Sequence, residues 1–280
     1  MTQARINLLL ASLVLFLGAL LLFEPENDSR EEPAPLSELS PDQINQIRRS
    51  GPSGETLTLE RQGQGWGMVA PYRVAADAAR VRGLLAIARQ PSQARFAAVP
   101  AELAGFGLDP PGILLALDGE QFGFGRTDPV YFRRYVLHRD EVHLIEDYGY
   151  RHLIATPEAF VSRHLLEAGT EILTISAPTL NPQGLGWHRP QVESDPTTDT
   201  RAMSRIWQET EALEVRKVPT RATGAAVELW LKGREKPLVF LRAAAQPELL
   251  IRPDLGLGYR VTADAPVLQI FQAAIAPPPP

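Results

Sequence analysis

The stretch GWGMVAPYRVAADAARVRGLLAIAR, residues 65–89, leads from a glycine-flanked tryptophan through a proline turn into a helical pattern. Its apolar residues have the i, i+3, i+4, i+7 spacing of one buried helix face. They are Val81, Leu84, Leu85 and Ala88. The preceding TLTLER (56–61) alternates with a period of two, which predicts a strand. We therefore expect Trp66 and Pro71 to brace the junction between this strand and the helix.

The same pattern occurs again later in the chain. LGWHRP (185–190) precedes a second helical stretch, TRAMSRIWQETEAL (200–213), with apolar residues at the same spacing. The matched positions are Trp66 with Trp187, Leu84 with Ile206, and Leu85 with Trp207. Because the tryptophan recurs before two helices of different surface chemistry, we interpret these side chains as structural rather than as a ligand platform.

Two predicted hairpins follow each helix in the same order. ILLALDGEQFGFG (113–125) matches VELWLKGREKPLVF (227–240), and a second hairpin turns at Arg139–Asp140 and near Pro253–Asp254. Ordered matches of this kind indicate an internal duplication. We therefore expect an α+β fold, in which an N-terminal transmembrane helix precedes two tandem copies of a strand, a helix and an antiparallel meander.

The expected organisation divides the chain into six parts. They are a cytoplasmic tail (1–5), a transmembrane anchor (6–23), an acidic and proline-bearing spacer (24–40), the first α+β repeat (41–168), the second α+β repeat (169–272) and a proline-rich tail (273–280). A short helix over 157–168, capped by Thr156 with a proline at its first position, is expected to close the first repeat.

The anchor is the apolar segment INLLLASLVLFLGALLLF (6–23), which contains no charged side chain. As a helix it would rise about 27 Å, close to the hydrocarbon thickness of a bilayer. A cleaved signal peptide and a buried core helix are the alternatives, but a signal peptide usually has a shorter apolar region and a small-residue cleavage site. We expect a bacterial inner-membrane protein that is single-pass, with a cytoplasmic N-terminus and the bulk of the chain in the periplasm.

The composition excludes several classes of function. The chain has 280 residues, a formal net charge of −5 and no cysteine. It offers no basic field for nucleic acid, and it lacks disulfides, thiolate metal sites and cysteine nucleophiles. GFGRTD (123–128) loosely resembles a phosphate loop but lacks the lysine. We predict no catalytic residue, metal or cofactor, and we do not expect an enzyme.

Six residues are candidates for an interaction site. Four of them lie in EDYGYRH (146–152), the densest polar and aromatic cluster: Asp147, Tyr148, Tyr150 and His152. One interpretation is that they line a pocket or supply an acid and a base, and the alternative is that they only connect a strand to a helix. The functional interpretation is kept because loops carry functional sites more often than cores do. Tyr72 and Arg189 are expected near the rim of a groove between the two copies.

Two further residues, His138 and His143, flank a predicted hairpin turn, where they could approach each other. A metal-binding pair and two solvent-facing positions on an edge hairpin are the alternatives. Neither histidine belongs to a metal-ligand motif, which favours the solvent-facing interpretation.

Several stretches together resemble the bacterial family called domain of unknown function 4340. Besides the apolar anchor, they are LTLERQGQGWGM (57–68), VAADAARVRGLLAIA (74–88), FGLDPPGILLAL (106–117), FGFGRTDPVYFRRYVLHRDEVHLIED (122–147) and TPEAFVSRHLL (156–166). The resemblance covers residues 36–166 well and the second copy loosely. It implies a membrane-anchored envelope protein associated with ABC-transport or gliding-type systems, and it supplies no catalytic residue.

Three functions are compatible with these observations. The favoured one is an extracytoplasmic binding or scaffold protein, which docks a partner protein or an envelope polymer as an accessory of an envelope or ABC-transport-type system. The alternatives are an envelope hydrolase or transferase that uses residues 146–152, and a passive subunit of a transporter complex. The usual nucleophile and metal motifs are absent from the sequence, which argues against the enzyme. The oligomeric state is left open.

Overall fold

Nine antiparallel strands form the first of two sheets. The structure is a computed structural model that describes residue 13 and residues 33–51, 53–167, 169–176, 198–219 and 223–273. The strands of the first sheet are β1 (Gln46–Ser50), β2 (Thr56–Gln62), β3 (Gly65–Ala70), β4 (Val74–Ala75), β5 (Ala94–Ala97), β6 (Ile113–Leu117), β7 (Glu120–Thr127), β8 (Arg133–His138) and β9 (Glu141–Glu146). Their order across the sheet is β4-β3-β2-β1-β6-β7-β8-β9-β5.

Six antiparallel strands form the second sheet. They are β10 (Ile172–Ser176), β11 (Glu214–Lys217), β12 (Gly224–Leu231), β13 (Leu238–Ala243), β14 (Leu249–Arg252) and β15 (Leu257–Arg260), in the order β10-β12-β13-β14-β15-β11. The run β1-β6-β7-β8-β9-β5 of the first sheet has the same topology: an opening strand, a four-stranded meander and an edge strand paired with the last strand of the meander. The first sheet differs by the three additional strands β2, β3 and β4.

Short helices and turns connect the strands. The α-helices are α1 (Ala78–Leu85), α2 (Pro100–Phe106), α3 (Tyr150–Leu153), α4 (Thr198–Glu209) and α5 (Val267–Ala273). The 3₁₀ turns are Ala86–Arg89, Asp147–Gly149 and Pro157–Phe160. Asp77 begins α1, because its side chain accepts hydrogen bonds from the backbone N–H groups of Ala79 and Arg80. The apolar face of α1 is buried through Val81, Leu84 and Leu85.

One continuous cluster of buried apolar side chains runs through both sheets. In the first sheet it includes Phe122 and Phe124 of β7. In the second it includes Trp207 of α4, whose ring centroid lies 4.8 Å from that of Phe240 and 6.0 Å from that of Phe271. Ile206 is half-buried beside this cluster. The shared core fixes the two sheets against each other.

The expected fold class is wrong. Strands make up 42% of the structure and helices 21%, in two mostly antiparallel sheets, instead of the two helix-and-meander units that were expected to follow the anchor. The predicted anchor over 6–23 lies outside the described residues except for Leu13. No helix in the described part of the chain is long and apolar enough to cross a membrane.

The strand expected to open the first repeat is also the wrong one. The expectation paired the Trp66 region with Trp187, but Trp66 lies within β3, one of the additional strands, and Trp187 lies outside the described residues. The strand with a counterpart in the second sheet is β1, which the sequence conceals because its QIRRS contains two adjacent arginines. Arg49 is turned into the core, where its Nη1 donates to the carbonyl oxygens of Leu153 (2.6 Å) and Ala155.

Two connections also differ from the expectation. Residues 91–112, to which no helix or strand was assigned from the sequence, contain β5 and α2. The helix expected over 157–168 is a single 3₁₀ turn, and the Thr156 side chain makes no capping hydrogen bond. Pro71 follows β3 and forms a cis peptide with Ala70.

Candidate functional site

The turn between β7 and β8 is held by one buried aspartate. The Asp128 carboxylate accepts a hydrogen bond from the backbone N–H of Tyr131 (2.7 Å). The backbone carbonyl of Asp128 accepts another from the N–H of Phe132 (3.0 Å). The N–H of Asp128 in turn donates to the carbonyl of Arg133 (2.6 Å). Phe132 adopts a left-handed backbone conformation with φ of 57°, which is unusual for a bulky residue. The turn is therefore a defined structure.

This turn presents its largest apolar side chains to solvent. Val130, Tyr131 and Phe132 are 67%, 69% and 73% exposed. Tyr148 is 66% exposed and lies at the same end of the sheet. Arg133, which follows the turn, pairs across the strands with Glu146, which precedes Tyr148 by two residues. We call these four residues the aromatic end. Single exposed apolar residues are ordinary, whereas a group of them indicates a contact surface.

A buried arginine holds together the segments next to the aromatic end. Arg134 donates through Nε to Asp147 Oδ1 (2.5 Å) and through Nη2 to Asp147 Oδ2 (3.0 Å). Its Nη1 donates to the carbonyl of Gly125 (2.5 Å), and its guanidinium lies 3.4 Å from the ring centroid of Tyr150. Two predicted site residues, Asp147 and Tyr150, therefore position the turn that carries Tyr148.

Comparison with known proteins identifies the family. The family model described as domain of unknown function DUF4340 matches residues 66–230, more than half of the 280 residues. The chain belongs to this family. The matched segment of this DUF4340 protein begins at Trp66 in β3 and ends at Trp230 in β12, so it includes the aromatic end and reaches into the second sheet. No curated protein and no solved structure matches the chain.

The fourth predicted residue of the 146–152 stretch is His152, which lies beside α1. Its ring lies against α1, close enough to Gly83 that a side chain there would collide with it. Arg151 donates to its Nε2 (3.4 Å), and its buried Nδ1 has no hydrogen-bond partner within the described part of the chain. Burial, followed by the charges of Arg151 and Arg80, lowers the pKa of His152. Asp147 and His152 of this DUF4340 chain thus have different partners.

The two residues expected at a groove rim have separate outcomes. Tyr72 is half-buried, and its hydroxyl donates to the carboxylate of Glu158. Burial, and then this carboxylate, raises the pKa of the Tyr72 phenol. Arg189 lies outside the described residues. Tyr72 therefore links the segment after β3 to the 3₁₀ turn Pro157–Phe160.

The two histidines of the β8–β9 hairpin do approach each other, with ring centroids 6.2 Å apart. The expectation that they face solvent is wrong, because both are buried. His138 lies 2.8 Å from a carboxylate oxygen of Glu120, and His143 Nδ1 lies 2.9 Å from the Ser92 hydroxyl. Among the described residues, no group of three or more His, Cys, Asp or Glu side chains could hold a metal ion.

Sequence reasoning missed the central residues of the aromatic end. Val130, Tyr131 and Phe132 stand in the FGFGRTDPVYFRRY stretch, where their apolar character is compatible with a buried strand. The available signal was the Asp-Pro at 128–129, a pair typical of turns. That pair predicts a turn at this point, whereas the exposure of the three residues after it depends on how the turn leaves the sheet.

Proposed function

We propose that this protein is a binding or scaffold protein that docks a partner protein through the aromatic end. The observation that carries the proposal is the exposure of three successive apolar side chains, Val130, Tyr131 and Phe132, on a turn fixed by Asp128. A turn that is ordered before binding loses less conformational entropy on association than a mobile one.

The chemistry of this surface favours a protein partner. Tyrosine and arginine are enriched among the residues that dominate protein–protein binding energy, and the exposed Arg126 and Arg151 are close in sequence to the aromatic end. A fitting partner has an apolar cleft with an acidic rim. The proposed partner is a component of an envelope or ABC-transport-type system, which is the partner class that the family resemblance implied. The proposed location of the protein is extracytoplasmic.

Site-specific photo-crosslinking tests the proposal. A photoreactive amino acid at Tyr131, in the full chain expressed in its native cells, is expected to yield a discrete crosslinked protein. The matched control is the same amino acid at Val99, which is also exposed but lies next to β5 at the opposite end of the sheet. The crosslinked protein, once identified and purified, should bind wild-type chain at least ~10-fold more tightly than a Tyr131→Ser variant.

Two results would contradict the proposal. The first is crosslinking at Tyr131 that does not exceed crosslinking at Val99. The second is crosslinking to lipid instead of protein, which would make the aromatic end a membrane contact. A Val99→Ser variant should leave the affinity for the purified partner unchanged.

No specific observation favours the alternative, a hydrolase or transferase that uses residues 146–152. The Asp147 carboxylate is engaged by both Nε and Nη2 of Arg134. An acid–base pair would need Asp147 and His152 within hydrogen-bond reach of a common substrate. Asp147 instead belongs to the support of the aromatic end, while His152 packs against α1.

A further inference from the structure

A groove lies where the two sheets meet, away from the aromatic end. Its volume is about 540 Å³. One wall is the segment Arg73–Ala75 at the outer edge of the first sheet, and another is the β12–β13 turn with Lys232 and Arg234. The connection between the sheets, including Leu165 and Glu167, completes the lining.

The groove concentrates positive charge in an acidic protein. Four cationic side chains line it, Arg73, Lys232, Arg234 and Arg252, against two carboxylates, Glu167 and Glu171. The chain as a whole carries a formal net charge of −5. The charge balance of the groove is therefore opposite in sign to that of the molecule.

Two of the four cations, Arg73 and Arg234, have no side-chain partner within the described part of the chain. Lys232 pairs with Glu171 at 2.8 Å, and Arg252 pairs with Asp254 at 2.7 Å. The side chains of Arg73 and Arg234 have neither an ion pair nor a hydrogen bond to any residue that the structure describes. Among the described residues, no side chain competes with an anion for their guanidinium groups.

We propose that this groove binds a small anion that carries two or more phosphate or carboxylate groups, with Arg73 and Arg234 as its principal ligands. A guanidinium group presents a fork of N–H donors that matches the geometry of both phosphate and carboxylate. Because Arg73 and Arg234 stand on different walls of the groove, one ligand with two anionic groups can engage both. This binding function is additional to the docking of a partner protein.

The size and lining of the groove define the ligand further. Its volume lies within the range of small-molecule sites, and apolar side chains such as Val74, Leu165 and Leu238 stand beside the arginines. A long polyanion is disfavoured, because the net negative charge of the chain repels it outside the groove.

Calorimetry on the full chain, with inorganic pyrophosphate and citrate as probes, tests the proposal and separates the phosphate source from the carboxylate source. At low ionic strength, at least one probe should bind saturably with a stoichiometry of one. Arg73→Gln and Arg234→Gln should each weaken binding ~10-fold or more. Added salt should weaken binding further, because the groove is open to solvent.

The matched control is Arg48→Gln, which removes an exposed arginine on β1, outside the groove. It should leave the affinity unchanged. The proposal is overturned if neither probe binds saturably, or if Arg48→Gln weakens binding as much as the groove variants. Arg73 and Arg234 are exposed, so their substitution should leave the thermal melting curve unchanged. Crosslinking at Tyr131 does not depend on this result, so the two proposals can fail separately.

Discussion

Glu228 is a buried carboxylate on the second sheet. It alternates along β12 with Val227 and Leu229, which lie in the core, so its side chain is on the opposite face. Burial raises the pKa of Glu228, because the charged form loses hydration. The folded state therefore holds the proton to higher pH than the unfolded state, and stability falls as pH rises through the raised pKa.

We expect Glu228→Gln to stabilise the protein by about 1 kcal/mol at pH 7.5, because it removes a buried charge while keeping the shape of the side chain. The gain should shrink toward pH 4, where wild-type Glu228 is protonated. Urea unfolding at several pH values measures both effects. Glu235→Gln is the control and should change little, because this carboxylate is exposed and lines a second pocket on the second sheet together with Glu228. A Glu228→Gln variant that is equally destabilised at every pH would refute this account.

Arg49 shows why some residue environments could not be read from the sequence. The buried face of α1 was predictable, because the helical period places Val81 and Leu84 on one side whatever the partner is. The burial of Arg49 depends on non-local partners, namely the carbonyls of Leu153 and Ala155 more than 100 residues away. An arginine in isolation predicts a solvent-facing position, so its strand was missed.

At the scale of elements, Gly125 allows α2 to lie close against β7. The alternation in FGFG sends Phe122 and Phe124 into the core, and it places Gly123 and Gly125 on the other face. A Cβ atom added at Gly125 would lie only 2.3 Å from the backbone oxygen of Phe106 in α2. Gly125 therefore serves the packing of α2 on β7, a structural role that GFGRTD fills without acting as a phosphate loop.

Gly125→Ala should therefore destabilise the protein by about 2 kcal/mol, because a backbone oxygen cannot rotate away and α2 must shift. Thermal or urea unfolding measures the loss. Gly105→Ala is a matched control, because the same addition in α2 meets nothing within 4 Å. It should stabilise the helix by ~0.5–1 kcal/mol. Equal effects of the two substitutions would show that helix packing does not depend on Gly125.

Hairpins were predicted better than the sheets that contain them. The turns at Asp118–Gly119 and Arg139–Asp140 join β6 to β7 and β8 to β9, where local turn residues placed them. The edge strand β5 could not be assigned in the same way, because its pairing with β9 is non-local. The aromatic end was missed for a related reason, since exposure of Phe132 depends on how the turn leaves the sheet.

At the scale of the whole molecule, two histidines with lowered pKa values, His143 and His152, make folding sensitive to acid. Burial lowers the pKa of His143, with further lowering from His138 and Arg95 and opposition from Glu141. His152 is shifted in the same direction, chiefly by burial. Below the ordinary value of 6.5, the unfolded chain binds protons that the folded chain does not. These groups therefore stabilise the fold above that pH, and their contribution is lost as pH falls toward their lowered values.

We expect the free energy of unfolding to fall between pH 7 and pH 5, and to fall less steeply in His143→Asn, which cannot take up the proton. The two proteins are compared by the slope of the free energy of unfolding against pH. Their absolute free energies of unfolding are not compared, because the substitution also removes the contact with Ser92. His164→Asn, at an exposed histidine, is the control and should keep the wild-type slope. If His143→Asn also keeps that slope, protonation of His143 does not contribute to acid unfolding, and the same measurement on His152→Asn tests the other histidine with a lowered pKa.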